Sequence, residues 1–158
     1  MTLVTTRAQS PAISALEAGG LEYRLVEYGE VHSAEEAARA RGIPIAALAK
    51  TLVVRVEENS YVLVLVPGDR GMDYKKLRAH LGTRRLTMPD PEEARKATGY
   101  ERGTITPLGA GEHRTIVDER LIDLPEISLG SGIRGIAIHL APTTLLSLPY
   151  AESASVST

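Results

Sequence analysis

The 158-residue chain contains no cysteine, no phenylalanine and no tryptophan. The first absence removes disulfides, thiolate nucleophiles and cysteine-based zinc sites at once, and it fits a reducing compartment. The other two leave the six tyrosines as the only large aromatic side chains able to stack on a base. Long apolar runs are missing too. The longest, Tyr61 to Pro67, falls far short of the roughly 20 residues that span a bilayer as a helix. Residues 1–10 hold one arginine and no apolar stretch, so no secretory signal is expected there and a cytoplasmic protein is. Net charge is only −2, which excludes bulk attraction to a polyanion; a nucleic-acid partner would need a local basic face.

What is present suits one compact α+β domain. A hydrophobic content of 43% supports a core. Ser10-Pro11 is an N-cap followed by proline at the first helical position, with Gly19-Gly20 as the stop. Leu21 to Tyr28 alternates apolar and polar residues, the period of a half-buried strand. Ser33-Ala34-Glu35-Glu36 is a capping box for a helix over residues 34–41, closed by Gly42. Lys50 to Val56 and Tyr61 to Val66 read as the two strands of a hairpin. Helices are expected over about residues 73–81 and from Asp90-Pro91 to Gly99, with a short strand over residues 84–88 between them. Thr115 to Val117 and Ile133 to Leu140 have strand texture, and Pro142 opens a last helix. The order lacks regular βαβ alternation. The expected domain covers residues 1–150, and the small polar residues 151–158 are expected to form a disordered tail.

Conventional catalytic groups are scarce. His32, His80, His113 and His139 have no mutual metal-ligand spacing, so neither a metal nor another cofactor is expected. No serine stands in Gly-x-Ser-x-Gly. Asp118 and Glu119 read as solvated turn residues. Lys50, at the head of an apolar strand, is either an exposed strand-end cation or an ammonium at the lip of a pocket. The segment from Gly99 to Gly109 has three glycines and Pro107. It is either a surface loop or one whose backbone N–H groups approach a ligand and hold a developing oxyanion. Gly130-Ser131-Gly132 is a second glycine loop with the same two readings. The stretch Arg70, Lys75, Lys76, Arg78, Arg84 and Arg85 is either a solvated face or a place for a phosphate backbone to dock.

These pieces occur in a recognisable order. Lys50-Thr51-Leu52-Val53-Val54, Thr98-Gly99-Tyr100 with Gly103 and Thr106-Pro107-Leu108-Gly109, and Gly130-Ser131-Gly132 with Arg134-Gly135 resemble the YbaK/EbsC family from about Pro11 to Leu146. That family comprises free-standing relatives of the editing domain inserted in bacterial prolyl-tRNA synthetases. The resemblance implies a mixed sheet, partly closed like a barrel, with helices around it. It also implies a trans-editing aminoacyl-tRNA deacylase that hydrolyses a small mischarged amino acid, cysteine or alanine, from tRNA(Pro) or a related tRNA. A non-catalytic tRNA- or nucleotide-binding module of the same fold is the alternative. The implied partners are mischarged tRNA and a prolyl-tRNA synthetase, with no membrane. Lys50 matches the family's essential lysine and Gly103 the glycine of its loop, with Thr104 beside it as the second backbone donor. Tyr28, His32, Thr51, Thr106, Pro107, Gly109, Gly130, Ser131 and Gly132 are the expected substrate-binding positions. Ser33 stands where cysteine-specific members carry an aromatic residue, which leaves the edited amino acid open.

Overall fold

The computed structural model describes the backbone of residues 2–4 and all of residues 8–158. Helix starts are set by local hydrogen bonds that the sequence advertises. Ser10 Oγ accepts from Ile13 N at the head of α1 (Pro11–Ala18), Ser33 Oγ from Glu36 N at α2 (Ala34–Arg41), Asp73 from Lys76 N at α3 (Tyr74–Leu81) and Asp90 from Glu93 N at α4 (Pro91–Thr98). Each satisfies an N–H that the first helical turn leaves without an intrahelical partner. Gly42, Gly82 and Gly99 end three of these helices in the left-handed conformation.

Two sheets of four strands each carry the fold. The first orders β1 (Thr2–Val4), β2 (Arg24–Glu27), β7 (Ile136–Leu140) and β6 (Ile127–Gly130), all antiparallel. In the second, β3 (Ala49–Glu57) pairs antiparallel with β4 (Ser60–Pro67). Strand β5 (Thr115–Asp118) then runs parallel to β4, and β8 (Ala151–Ala154) parallel to β5. The sheets meet where Leu48, at the foot of β3, bridges Ser128 of β6. The α+β class and mixed sheet are as expected; among the described residues the strands do not close on themselves, so the partial barrel is replaced by two joined sheets. The remaining helices are short: α5 (Glu119–Ile122) and α6 (Pro142–Leu146). Ile13, Leu16, Leu63, Leu65, Leu129, Ile138 and Leu145 anchor one core, and Val54, Val64, Leu77, Ile116 and Val156 a second.

Three local expectations are corrected. Residues 84–88 form no strand; only Thr87 pairs, through a single bridge to Arg55. Asp118 is fully buried rather than solvated. Residues 151–158 are ordered rather than a disordered tail. Strand β8 takes the free edge of β5, Glu152 accepts from Arg114 and lies 2.7 Å from His80 Nε2, and Val156 is fully buried. Those charged partners hold the Glu152 carboxyl well below its ordinary value, at about 2, with Arg114 the larger cause.

His139 of β7 lies wholly inside, neither ring nitrogen has a hydrogen-bond partner among the described residues, and its Nδ1 sits 3.5 Å from a Glu126 oxygen. Burial is the main cause that lowers its pKa, with Arg24 and Arg41 adding to it and Glu126 opposing. The unfolded imidazole titrates near pH 6.5. Because the folded value is lower, stability is complete above about pH 6.5 and declines as pH falls toward the folded value. Melting temperature is expected to drop between pH 7 and pH 5, and His139→Leu to flatten that slope.

Candidate active site

A cavity of about 540 Å³ opens between the head of β3, the start of α4 and the loop after it. Its wall includes Lys50, Thr51, Gly103 and Gly130, four of the positions expected from the sequence, and the structure brings them together from three separate segments. Apolar atoms of Ala49, Val53, Ala94 and Ile105 line much of the rest. The charged side chains in the wall are all cationic: Arg41, Lys50 and Arg102. An electropositive, largely apolar hollow suits an anionic ligand that carries a small apolar group.

Lys50 is half-buried and donates from Nζ to the Arg70 carbonyl at 2.7 Å. An ammonium has three donors, so this contact fixes its position and leaves others for a ligand. Thr51 lines the same cavity, and its buried hydroxyl has no hydrogen-bond partner among the described residues. The Gly103 backbone, at φ 89°, donates to no protein acceptor among the described residues. The neighbouring Thr104 N–H is already engaged by the Glu101 carbonyl at 3.0 Å. Gly103, not Thr104, therefore offers the free backbone donor.

Several expected binding positions serve the wall from behind. Ser131 is buried, and its Oγ donates to the Ile136 carbonyl at 2.6 Å while accepting from Ile133 N. Gly132 N donates to the Thr104 carbonyl, and a Cβ on Gly132 would meet the Tyr100 ring at 2.5 Å. Tyr100 locks the loop by donating to the Leu108 carbonyl at 2.6 Å, and burial pushes its phenol up to about 12, so it stays protonated. Thr106 and Pro107 are buried within the loop, and Gly109 touches the first turn of α1. None of these lines the cavity. His32 does not line it either: its side chain is 74% exposed, and its N–H donates to Glu36 as part of the α2 cap.

Sequence reasoning misses Arg41. Only 8% exposed, it donates to Ser128 Oγ and Tyr28 Oη, both at 3.2 Å, and its guanidinium lies 4.6 Å from the Tyr28 ring centre. Tyr28 thus reaches the cavity through Arg41. A basic residue in a helix's last turn ordinarily reads as a dipole partner. The distance in sequence to Ser128 hides its destination.

The family model for the aminoacyl-tRNA editing domain matches residues 29–148. The chain belongs to this editing-domain family. EbsC of Enterococcus faecalis, whose name gives it as a Cys-tRNA(Pro)/Cys-tRNA(Cys) deacylase, is 31% identical over 157 residues, which cover 97% of this chain and 96% of EbsC. The Escherichia coli Ser/Thr-tRNA deacylase ProXp-y is 26% identical over 145 residues, covering 89% of this chain and 87% of that protein. A crystal structure described as a trans-editing enzyme for prolyl tRNA synthetase superposes with a TM-score of 0.84 at 29% identity, covering 96% of this chain and 99% of the other. In this editing domain, then, Lys50, Thr51 and Gly103 share one hollow. No helix among the described residues is long and apolar enough to cross a membrane.

Proposed function

We propose that this protein is a free-standing aminoacyl-tRNA deacylase that hydrolyses a small amino acid, cysteine or alanine, from mischarged tRNA(Pro) or a related tRNA in the cytoplasm. A prolyl-tRNA synthetase would supply the mischarged substrate. The observation that carries the reading is the convergence of Lys50, Thr51 and Gly103 on one cavity whose charged side chains are all cationic.

Lys50 and Arg41 supply positive charge for the phosphate-bearing 3′ end, and the apolar wall receives the amino-acid side chain. Water attacks the ester carbonyl, and the oxygen that becomes negative faces the Gly103 N–H. The tetrahedral intermediate collapses, the carbonyl–oxygen bond to the ribose breaks, and the ribose hydroxyl leaves with a proton. Products are the free amino acid and deacylated tRNA. With no nucleophile from the protein, catalysis rests on position and electrostatics. The basic residues of α3 would give the tRNA phosphate backbone a docking face, in a segment flanked by Arg70, whose carbonyl holds Lys50, and by Met88 and Pro89 of the cavity wall.

Selectivity follows from the size of the apolar wall. Across tRNAs charged with cysteine, alanine, serine, leucine and phenylalanine, the small residues are expected to be released at least about tenfold faster than leucine or phenylalanine. Equal rates across the panel would contradict an enclosed side-chain pocket.

A further inference from the structure

The segment whose carbonyl holds Lys50 is itself held by residues 156–158. Asp118, buried where β5 ends, accepts from Val156 N at 2.9 Å and Ser157 N at 3.0 Å through one oxygen, and from Ser157 Oγ at 2.8 Å through the other. Residues 156–158 then lie along residues 70–73. Asp73 N donates to the Val156 carbonyl at 2.8 Å and Thr158 N to the Gly71 carbonyl at 2.9 Å. Gly71 N donates to Thr158 Oγ1 at 3.2 Å, Lys76 Nζ to the Ser157 carbonyl at 2.9 Å, and Arg70 Nη1 to the Thr158 carbonyl. Val156 fills the second core beside Met72 and Leu77. Lys50 Nζ closes the chain on the Arg70 carbonyl at 2.7 Å.

We propose that Asp118 and residues 156–158 are positioning elements for Lys50, fixing the 70–73 segment so that the Arg70 carbonyl aims the ammonium into the cavity. The inference rests on the deacylase reading, since it gives Lys50 the task being positioned. A buried carboxylate is costly unless its oxygens are satisfied, and Asp118 takes three hydrogen bonds from Val156 and Ser157, the strap, and a longer one, 3.3 Å, from Arg120 N at the head of α5. Without the strap, residues 70–73 lose their hydrogen bonds to residues 156–158, and the ammonium loses a fixed partner. A shift of about 1 Å at a catalytic group is enough to cost up to about 10²-fold in rate.

The test compares Asp118→Asn, which keeps the volume, and deletion of residues 156–158, each in the Lys50 and the Lys50→Ala protein. Single-turnover deacylation over a range of enzyme concentrations, all in excess of tRNA, gives the maximal rate and the half-saturating concentration that stands for KM, and thermal melts check folding. Both changes are expected to lower the maximal rate by about tenfold or more with KM within about twofold, and by under about twofold when Lys50 is already alanine. An equal loss in both backgrounds, or an unchanged rate in a folded deletion variant, overturns the proposal. If the deletion variant fails to fold, Asp118→Asn decides by the same criteria. A wild-type protein that deacylates nothing would instead overturn the deacylase reading, and the positioning role with it.

Discussion

Lys50→Ala protein is expected to fold and to lose about 10²–10³-fold in deacylation kcat/KM, the scale of removing one well-placed electrostatic contact to a transition state. The fold should tolerate the change. Lys50 backbone pairs with Val66 in the hairpin whatever its side chain, and the residue is only half-buried. Truncation frees one carbonyl, that of Arg70, which is near solvent and can take water instead; the stability loss is about 1 kcal/mol. Lys50→Arg keeps the charge but spreads it over a planar fork, so partial activity is expected. Deacylation assays with both variants, beside thermal melts, check this. A Lys50→Ala enzyme turning over like wild type would remove the centre of the proposed site.

Gly109→Ala carries the largest expected stability loss, about 3 kcal/mol, from strain and overpacking together. Its φ is 66°, and a Cβ there would lie 2.5 Å from the carbonyl carbon and oxygen of Pro11 and 2.8 Å from Ala12 N. Those are backbone atoms of the first turn of α1, so no side chain can swing aside. Displacing that turn pulls Ala12, Ile13 and Leu16 from the core and disturbs Ser10, whose Oγ donates to the Ser131 carbonyl at 2.6 Å. Gly99→Ala is the matched comparison. It has φ 81° but nothing within 4 Å of the added carbon, so only the conformational cost of about 1 kcal/mol applies. Chemical denaturation of the two variants separates clash from strain.

The contrast between the features that can be read in the sequence and those that cannot tracks the range of the interactions. Caps are local: Ser10, Ser33, Asp73 and Asp90 each bond to an N–H three residues on, and the four helices begin there. The hairpin is equally legible, with its apolar runs separated by a turn in which Asn59 adopts φ 59°. Strand β8 is not. Ala-Glu-Ser-Ala has no apolar alternation, and it is a strand because β5 offers a parallel edge and Asp118 anchors Val156 and Ser157 just beyond it. Alternation also misleads over residues 21–28: Leu25 and Val26 are adjacent yet both buried, because β2 is covered on both faces.

The site divides in the same way. Lys50, Thr51, Gly103 and Gly130 stand out as motif residues, and they converge on the cavity. Ser131, Gly132, Thr106 and Gly109 belong to the same motifs but hold the loops in place, because glycine-rich motifs encode close backbone approach as readily as ligand contact. Arg41 is hidden because its partners, Tyr28 and Ser128, come from other elements. Asp118 reads wrongly because a carboxylate after a strand is usually solvated, and its partners lie 38 and 39 residues later.

The most direct test is the release of amino acid from Ala-tRNA(Pro) and Cys-tRNA(Pro) by a substoichiometric amount of the wild-type protein, measured against spontaneous hydrolysis. The proposed function predicts multiple turnovers on at least one of the two, while correctly charged Pro-tRNA(Pro) decays at its spontaneous rate. Tight tRNA binding with release no faster than the spontaneous rate on both would contradict it and leave a binding module in place of an enzyme.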